Sequence, residues 1–258
     1  MPRRARVKSR SGIYHIMLRG ANRQEIFHDD EDCKTFLEIF YRYKQRAKIR
    51  VYSWCLMNNH VHLLIKEGEE DISITMKRIE VSFVVYYNRK YGTNGHLFQD
   101  RFRSENVGDY HGLLNVIRYI HQNPLKAKMV QCNDQWRWSS CRDYYGMKQK
   151  PGKLTDSQLI LVLFAEDPIL ARERFIEFNE QVNQDQFLDD TGYERGYTDE
   201  EARKLIKQLL NGVEIAQVKS LPRDSRNEIL HKAKGIKGIS QRQLARILGV
   251  SRTLLSKA

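Results

Sequence analysis

Only four cysteines occur in 258 residues, and none forms a CxxC pair, so neither a zinc ribbon nor the disulfide framework of a small secreted domain is encoded. Cys33, Cys55, Cys132 and Cys141 read instead as reduced thiols that fill core space. With five prolines, no low-complexity tract and no internal repeat, the chain is neither collagen-like nor mainly disordered. Long apolar runs are missing too. A stretch such as Leu159 to Ala165 falls far short of the roughly 18–20 residues that cross a bilayer. The basic start, Arg3, Arg4, Arg6, Lys8 and Arg10, leads into no signal-peptide core. No membrane partner is expected, and the cytoplasm is the expected compartment.

What is present is a globular composition, 41% hydrophobic and 10% aromatic, long enough for one large domain or two. Charge is uneven. Residues 1–150 carry 27 basic and 16 acidic side chains, residues 151–200 carry 4 and 12, and residues 201–258 carry 13 and 4. The nets are +11, −8 and +9 within a total of +12. Two basic lobes around an acidic waist suggest two surfaces for a polyanion, because clustered cations bind phosphate backbones whatever their sequence. Gly152, Gly192 and Gly196 mark the joints.

In the first lobe, residues 12–19 alternate as a strand and residues 19–23 form a loop. Residues 29–47 place Phe36, Leu37, Phe40 and Tyr43 on a helical stripe, with acids leading and bases trailing. Residues 49–57 and 61–66 read as strands around an Asn58-Asn59 turn, residues 72–91 as a second helix, and residues 103–107 as an edge strand. A third helix over 110–121 is expected to end near Asn123, because Pro124 follows. Strand, helix, strand, strand, helix, strand is the ferredoxin-like order of an α+β fold, with an antiparallel sheet and helices on one face.

Within the third strand, the period of two sends His60 and His62 to one face and Val61, Leu63 and Ile65 to the other. Side-by-side imidazoles either chelate a divalent ion or make ordinary hydrogen bonds on a polar face. On the third helix, Tyr119 and Asn123 are four apart and share a face. A phenol with a pKa of roughly 10 is a poor nucleophile at neutral pH unless a cation polarises the electrophile, which pairs tyrosine with metal.

His60-Val61-His62 resembles the His-hydrophobic-His signature of HUH endonucleases, and Tyr119-Ile-His-Gln-Asn-Pro124 is similar to the tyrosine helix of single-tyrosine transposases. The branch it looks most like is that of the REP-associated tyrosine transposases. Supporting segments are His15-Ile-Met-Leu-Arg-Gly-Ala-Asn-Arg-Gln-Glu-Ile-Phe27, Asn58-Asn-His-Val-His-Leu-Leu64, Gly95-His-Leu-Phe-Gln-Asp-Arg-Phe-Arg103 and Trp136-Arg-Trp-Ser-Ser140, which run through residues 10–146 in family order. The resemblance implies DNA cleavage and joining, with Tyr119 as the nucleophile that forms a 5′-phosphotyrosine. It implies His60, His62 and Asn123 as ligands of Mg²⁺ or Mn²⁺, and single-stranded DNA with hairpins as substrate. Relatives act as monomers or as dimers, and the composition is compatible with both. A nucleoid-associated protein is expected. No general base is evident; His15 and His121 read as structural.

For substrate grip, Arg19, Asn22 and Arg23 follow the first strand, while Phe98, Arg101 and Arg103 interleave aromatic and cationic groups suited to unpaired bases and their phosphates. Near the C-terminus, Ala245, Gly249 and Ser251 among Leu244, Leu248, Val250 and Leu255 resemble a helix-turn-helix that would present Arg252 and Thr253 to duplex DNA. The expected division is a catalytic domain over 1–148, a helical acidic connector over 149–195 with a solvated stretch at Asp185 to Asp190, and a helical DNA-binding region over 196–258. Two other readings carry the same motifs: a replication initiator of the HUH type, and a domesticated regulator that binds structured single strands without cutting.

Overall fold

The computed structural model describes residues 7–147, 152, 154–182, 197–236 and 238–257. Strands β1 (Ile13–Arg19), β2 (Arg50–Met57), β3 (His60–Lys66) and β4 (Arg103–Asn106) form one sheet in the order β2-β3-β1-β4, antiparallel throughout. Helices α1 (Asp30–Ala47) and α2 (Ile72–Tyr91) make the two crossovers, giving the ferredoxin-like arrangement. The Asp29–Asp32 capping box starts α1, and Asn58 and Asn59 turn the chain from β2 into β3.

One sheet face, with Ile16, Leu18, Trp54, Val61, Leu63 and Ile65, packs on Phe36 and Phe40 of α1 and on Ile79 and Phe83 of α2. The opposite face is covered as well. Helix α3 (Tyr110–Lys126) lays Leu113, Val116, Ile117 and Ile120 over Tyr52, Cys55, Met57 and Leu64. Helices on one face only, the expectation from element order, is therefore incomplete: both faces are buried, and the imidazoles lie under α3.

Helix α3 also runs beyond its expected end, with Pro124 inside it. Proline removes only the N–H that would reach the Ile120 carbonyl. The Asn123 side chain donates to the Tyr119 carbonyl at 2.9 Å, and the Asn123 carbonyl accepts from the Ala127 N–H at 2.9 Å, so the last turn closes.

Where it is described, the acidic waist is helical and packed. Beyond α4 (Cys141–Tyr144), helices α5 (Gln158–Leu161) and α6 (Pro168–Glu180) join the core beneath α3. Phe175 stacks on Tyr144 at 4.3 Å, and Lys44 pairs with Asp156 at 2.8 Å. The expected linker from Asp185 to Asp190 lies outside the described residues.

Helices α7 (Asp199–Leu210), α8 (Arg223–Lys234), α9 (Gln241–Ile247) and α10 (Arg252–Lys257) enclose a separate core around Ile206, Leu230, Leu244 and Leu255. Gly249 turns the chain between α9 and α10 with φ +66°, and Ser251 Oγ accepts from the Leu254 N–H at 3.1 Å. This bundle is docked on the segment after β1. Arg203 Nε donates to the buried Glu25 carboxylate at 2.5 Å, Arg203 Nη2 donates to the Phe27 carbonyl at 2.7 Å, and Lys219 donates to Gln24 Oε1 at 3.2 Å. Among the described residues, no helix is long and apolar enough to cross a membrane.

Candidate active site

Strand pairing fixes which side chains meet on the face beneath α3. Directly paired residues share a face; Met17 pairs with His62, Arg19 with His60, Arg103 with Met17, and Glu105 with His15. His15, His60 and His62 therefore stand on one surface, with the cations Arg19 and Arg103 in the same rows. The His60 and His62 rings are 4.9 Å apart at their centroids, and His15 stacks on His62 at 5.3 Å.

Tyr119 descends from α3 onto this surface. Its ring meets His62 edge-on at 5.7 Å and His15 at 5.8 Å, and Lys126, two turns along the same helix, sets its Nζ 5.0 Å from the Tyr119 ring centroid. Sequence positions 15, 60, 62 and 119 thus converge, although β1, β3 and α3 are distant in the chain.

Each imidazole of the pair has its Nδ1 engaged. His60 Nδ1 lies 2.6 Å from Asn59 Oδ1, and His62 Nδ1 lies 3.1 Å from His15 Nε2. An Asn carbonyl oxygen only accepts, so His60 carries a proton on Nδ1, and in its neutral form Nε2 is the lone pair. Burial, reinforced by the neighbouring His60, His15 and Arg19 charges, holds His62 well below the usual imidazole range, so it is neutral. His62 Nε2 is buried and finds no hydrogen-bond partner among the described residues.

A divalent ion fits that description, since a neutral imidazole with a buried, unsatisfied nitrogen is a metal-ligand form. Among the described residues, no cluster of three His, Cys, Asp or Glu side chains is disposed around a common metal position. An ion here would draw on His60, His62 and a carboxamide, with phosphate oxygens completing its shell. Asn123 is buried one turn beyond Tyr119, and its amide nitrogen is already committed to the Tyr119 carbonyl.

Other expected site residues divide. Asn22 and Arg23 occupy a short 3-10 turn in left-handed backbone, φ 53° and 62°, a conformation non-glycine residues adopt at a cost. The loop around Phe98 pairs with the end of β1 through Ala21 N–H to the Leu97 carbonyl and Gln99 N–H to the Arg19 carbonyl, both at 2.8 Å. Arg101 and Arg103 are exposed beside it. Phe98 is not: it is buried in the core against Phe83 and offers no ring face to a base, because the loop folds inward to complete the α1–α2 core. Arg252 and Thr253 are exposed at the start of α10.

Sequence reasoning set His15 aside as structural, yet it contacts both His62 and Tyr119, and its Nδ1 lies 3.7 Å from a Glu105 carboxylate oxygen. The period of β1, which places His15, Met17 and Arg19 together, was the available signal. His121 is structural, as expected. It sits between Asn179 Oδ1 at 3.0 Å and Ser140 Oγ at 2.9 Å, and burial lowers its pKa to about 3.

No functionally curated protein shows significant sequence similarity to the chain. Among solved structures, the chain is similar at 19% identity and a TM-score of 0.49 to a REP-associated tyrosine transposase bound to a REP hairpin, a likeness that covers 60% of this chain and 94% of that one. Residues 8–123, which hold the whole sheet, the imidazole pair, Tyr119 and Asn123, match the family described as "Transposase IS200 like". Over those residues the chain is similar to that family.

Proposed function

We propose that the protein is a transposase of the REP-associated type, which cleaves and rejoins single-stranded DNA beside hairpins. The observation that carries this reading is the contact of the Tyr119 ring with His62 and His15. Tyr119 Oη forms a bond to the scissile phosphorus while the bond from phosphorus to the 3′-oxygen breaks. The phenol gives up its proton, the departing 3′-oxygen takes one up, and a 5′-phosphotyrosine remains. Because that ester conserves the cleaved bond, a second 3′-hydroxyl reverses the step and joins strands. Arg19 and Arg103 hold phosphate on the same sheet face.

His60, His62 and Asn123 would hold Mg²⁺ or Mn²⁺, an imidazole pair suiting Mn²⁺ the better. The ion's contribution is to polarise a phosphate oxygen, worth several kcal/mol at the transition state. Asn22, Arg23 and Arg101 contact the strand near the site, and Arg252 and Thr253 meet the duplex of the hairpin stem. Functionally, residues 1–148 form the catalytic domain and 196–258 the duplex-binding region.

The test is direct. Incubation with Mn²⁺ and a labelled hairpin-bearing oligonucleotide gives a covalent protein–DNA adduct stable to denaturation, and Tyr119→Phe abolishes it. A wild-type protein that forms no adduct but still binds the oligonucleotide would instead be a non-cutting regulator.

A further inference from the structure

The bundle lies outside the residues that match the transposase family, yet its docking creates a cavity of about 660 Å³ against the catalytic domain. One wall holds Asn59 and His60 from the β2–β3 turn, with Lys126 and Lys128 from the end of α3; the other holds Arg242 and Gln243 of α9. His60 thus belongs both to the imidazole pair and to the lining of this cavity, so the cavity reaches the edge of the candidate active site.

Charge on these walls does not cancel. Each lining carboxylate is engaged by a cation: Asp29 by Lys90 at 2.8 Å, which Glu31 and Asp32 share, Asp30 by Arg137 at 2.6 Å, Glu200 by Lys204 at 3.7 Å, and Asp199 by Arg246, which grips both carboxylate oxygens. Lys128 and Arg242 add positive charge beyond those pairs and are exposed on opposite walls. Trp136, half-buried and anchored by its Nε1 donating to the Leu56 carbonyl at 2.9 Å, adds an aromatic surface to the lining. Cations from two walls with an aromatic between them are the elements of a single-strand channel.

We infer that the cleft between α9 and the end of α3 binds the single strand adjoining the scissile phosphate, so that the bundle is a second wall of the strand-binding site. This deepens the proposed function and rests on it for the position of the phosphate.

Fluorescence anisotropy with a labelled, unstructured oligothymidine in EDTA tests the cleft without cleavage. Arg242→Ala and Lys128→Ala should each weaken binding about fivefold near physiological salt, and each should flatten the slope of log affinity against log salt by roughly 0.7, the single-strand value per phosphate contact. Arg242→Glu should weaken it further; thermal melts confirm that all three variants fold. An unchanged affinity and slope for Arg242→Ala, with Lys128→Ala impaired, would overturn the proposal, because the strand would then lie on the catalytic domain alone. So would an equal loss for a blunt duplex of the same length. The Tyr119 adduct assay is a separate readout: failed cleavage with an Arg242-dependent strand affinity removes the nuclease reading and leaves the cleft, and the reverse result removes the cleft.

Discussion

His15 Nε2 lies 3.1 Å from His62 Nδ1, with the two rings stacked 25° from parallel. When His62 Nδ1 donates, its Nε2 is left as the lone pair, and Glu105, 3.7 Å from His15 Nδ1, favours the His15 tautomer that keeps Nε2 as acceptor. His15 is thus a positioning residue for His62, as Asn59 is for His60.

Removing that support should cost metal affinity. His15→Ala is expected to weaken Mn²⁺ binding by about 10–100-fold in calorimetry, while affinity for oligothymidine in EDTA stays near wild type. Unchanged Mn²⁺ affinity would reduce His15 to a packing residue.

The imidazole pair separates chemistry from binding. His60→Ala should lower the rate of adduct formation far more than it lowers single-strand affinity in EDTA. Equal losses in both assays would mark His60 as a structural side chain.

Phe98 tests the corrected assignment. Truncation to alanine empties core space against Phe83 and should cost about 3–5 kcal/mol in urea denaturation. Strand affinity per folded molecule should be unaltered; a selective loss of binding would restore a stacking role.

Glu25 gives the docked bundle a pH dependence. Burial raises its carboxyl to about 7, against the lowering effect of Arg203. An acid whose folded pKa exceeds its unfolded value lends stability that is fully present below about 4.5 and is lost as pH rises through about 7. A Glu25→Gln protein lacks this slope. The wild-type melting temperature should fall relative to the variant between pH 4.5 and 7, by at most ~3 kcal/mol of stability. Parallel pH profiles for the two proteins would contradict the assignment.

Gly249 closes the last test. Its φ of +66° and a Cβ position only 2.6 Å from Gln24 Oε1 disfavour any side chain there. Gly249→Ala should cost about 1–2 kcal/mol in denaturant melts. A neutral effect would mean that Gln24 gives way freely.

Most elements were readable because their apolar periods are strong. Helix α2 runs from Ile72 to Tyr91 as its stripe predicts, and His60 and His62 take the face that strand alternation assigns. The second covering of the sheet was hidden, since β2 is buried at seven consecutive positions, Val51 to Met57, and such a run does not say what lies on each side. The end of α3 lies beyond its expected place because the turn after Pro124 still closes, through the Ala127 N–H to the Asn123 carbonyl, which the proline does not touch. Glu25 and Arg203 are 178 positions apart, and no local pattern announces that they meet. The convergence of His15 on His62 is of the same kind, a matter of strand register.

His62 is fully buried and Tyr119 is 3% exposed, so α3 is the roof of the candidate site as well as the carrier of Tyr119, the proposed nucleophile. A phosphate cannot reach both side chains while the roof is seated. Pro124 leaves the Ile120 carbonyl without its helical donor one turn from Tyr119, which makes that turn the weakest course of the roof. If Tyr119 acts as proposed, admission of the phosphate and delivery of the phenol would be a single displacement of one helix, and a ligand that staples α3 to the sheet would inhibit without touching DNA.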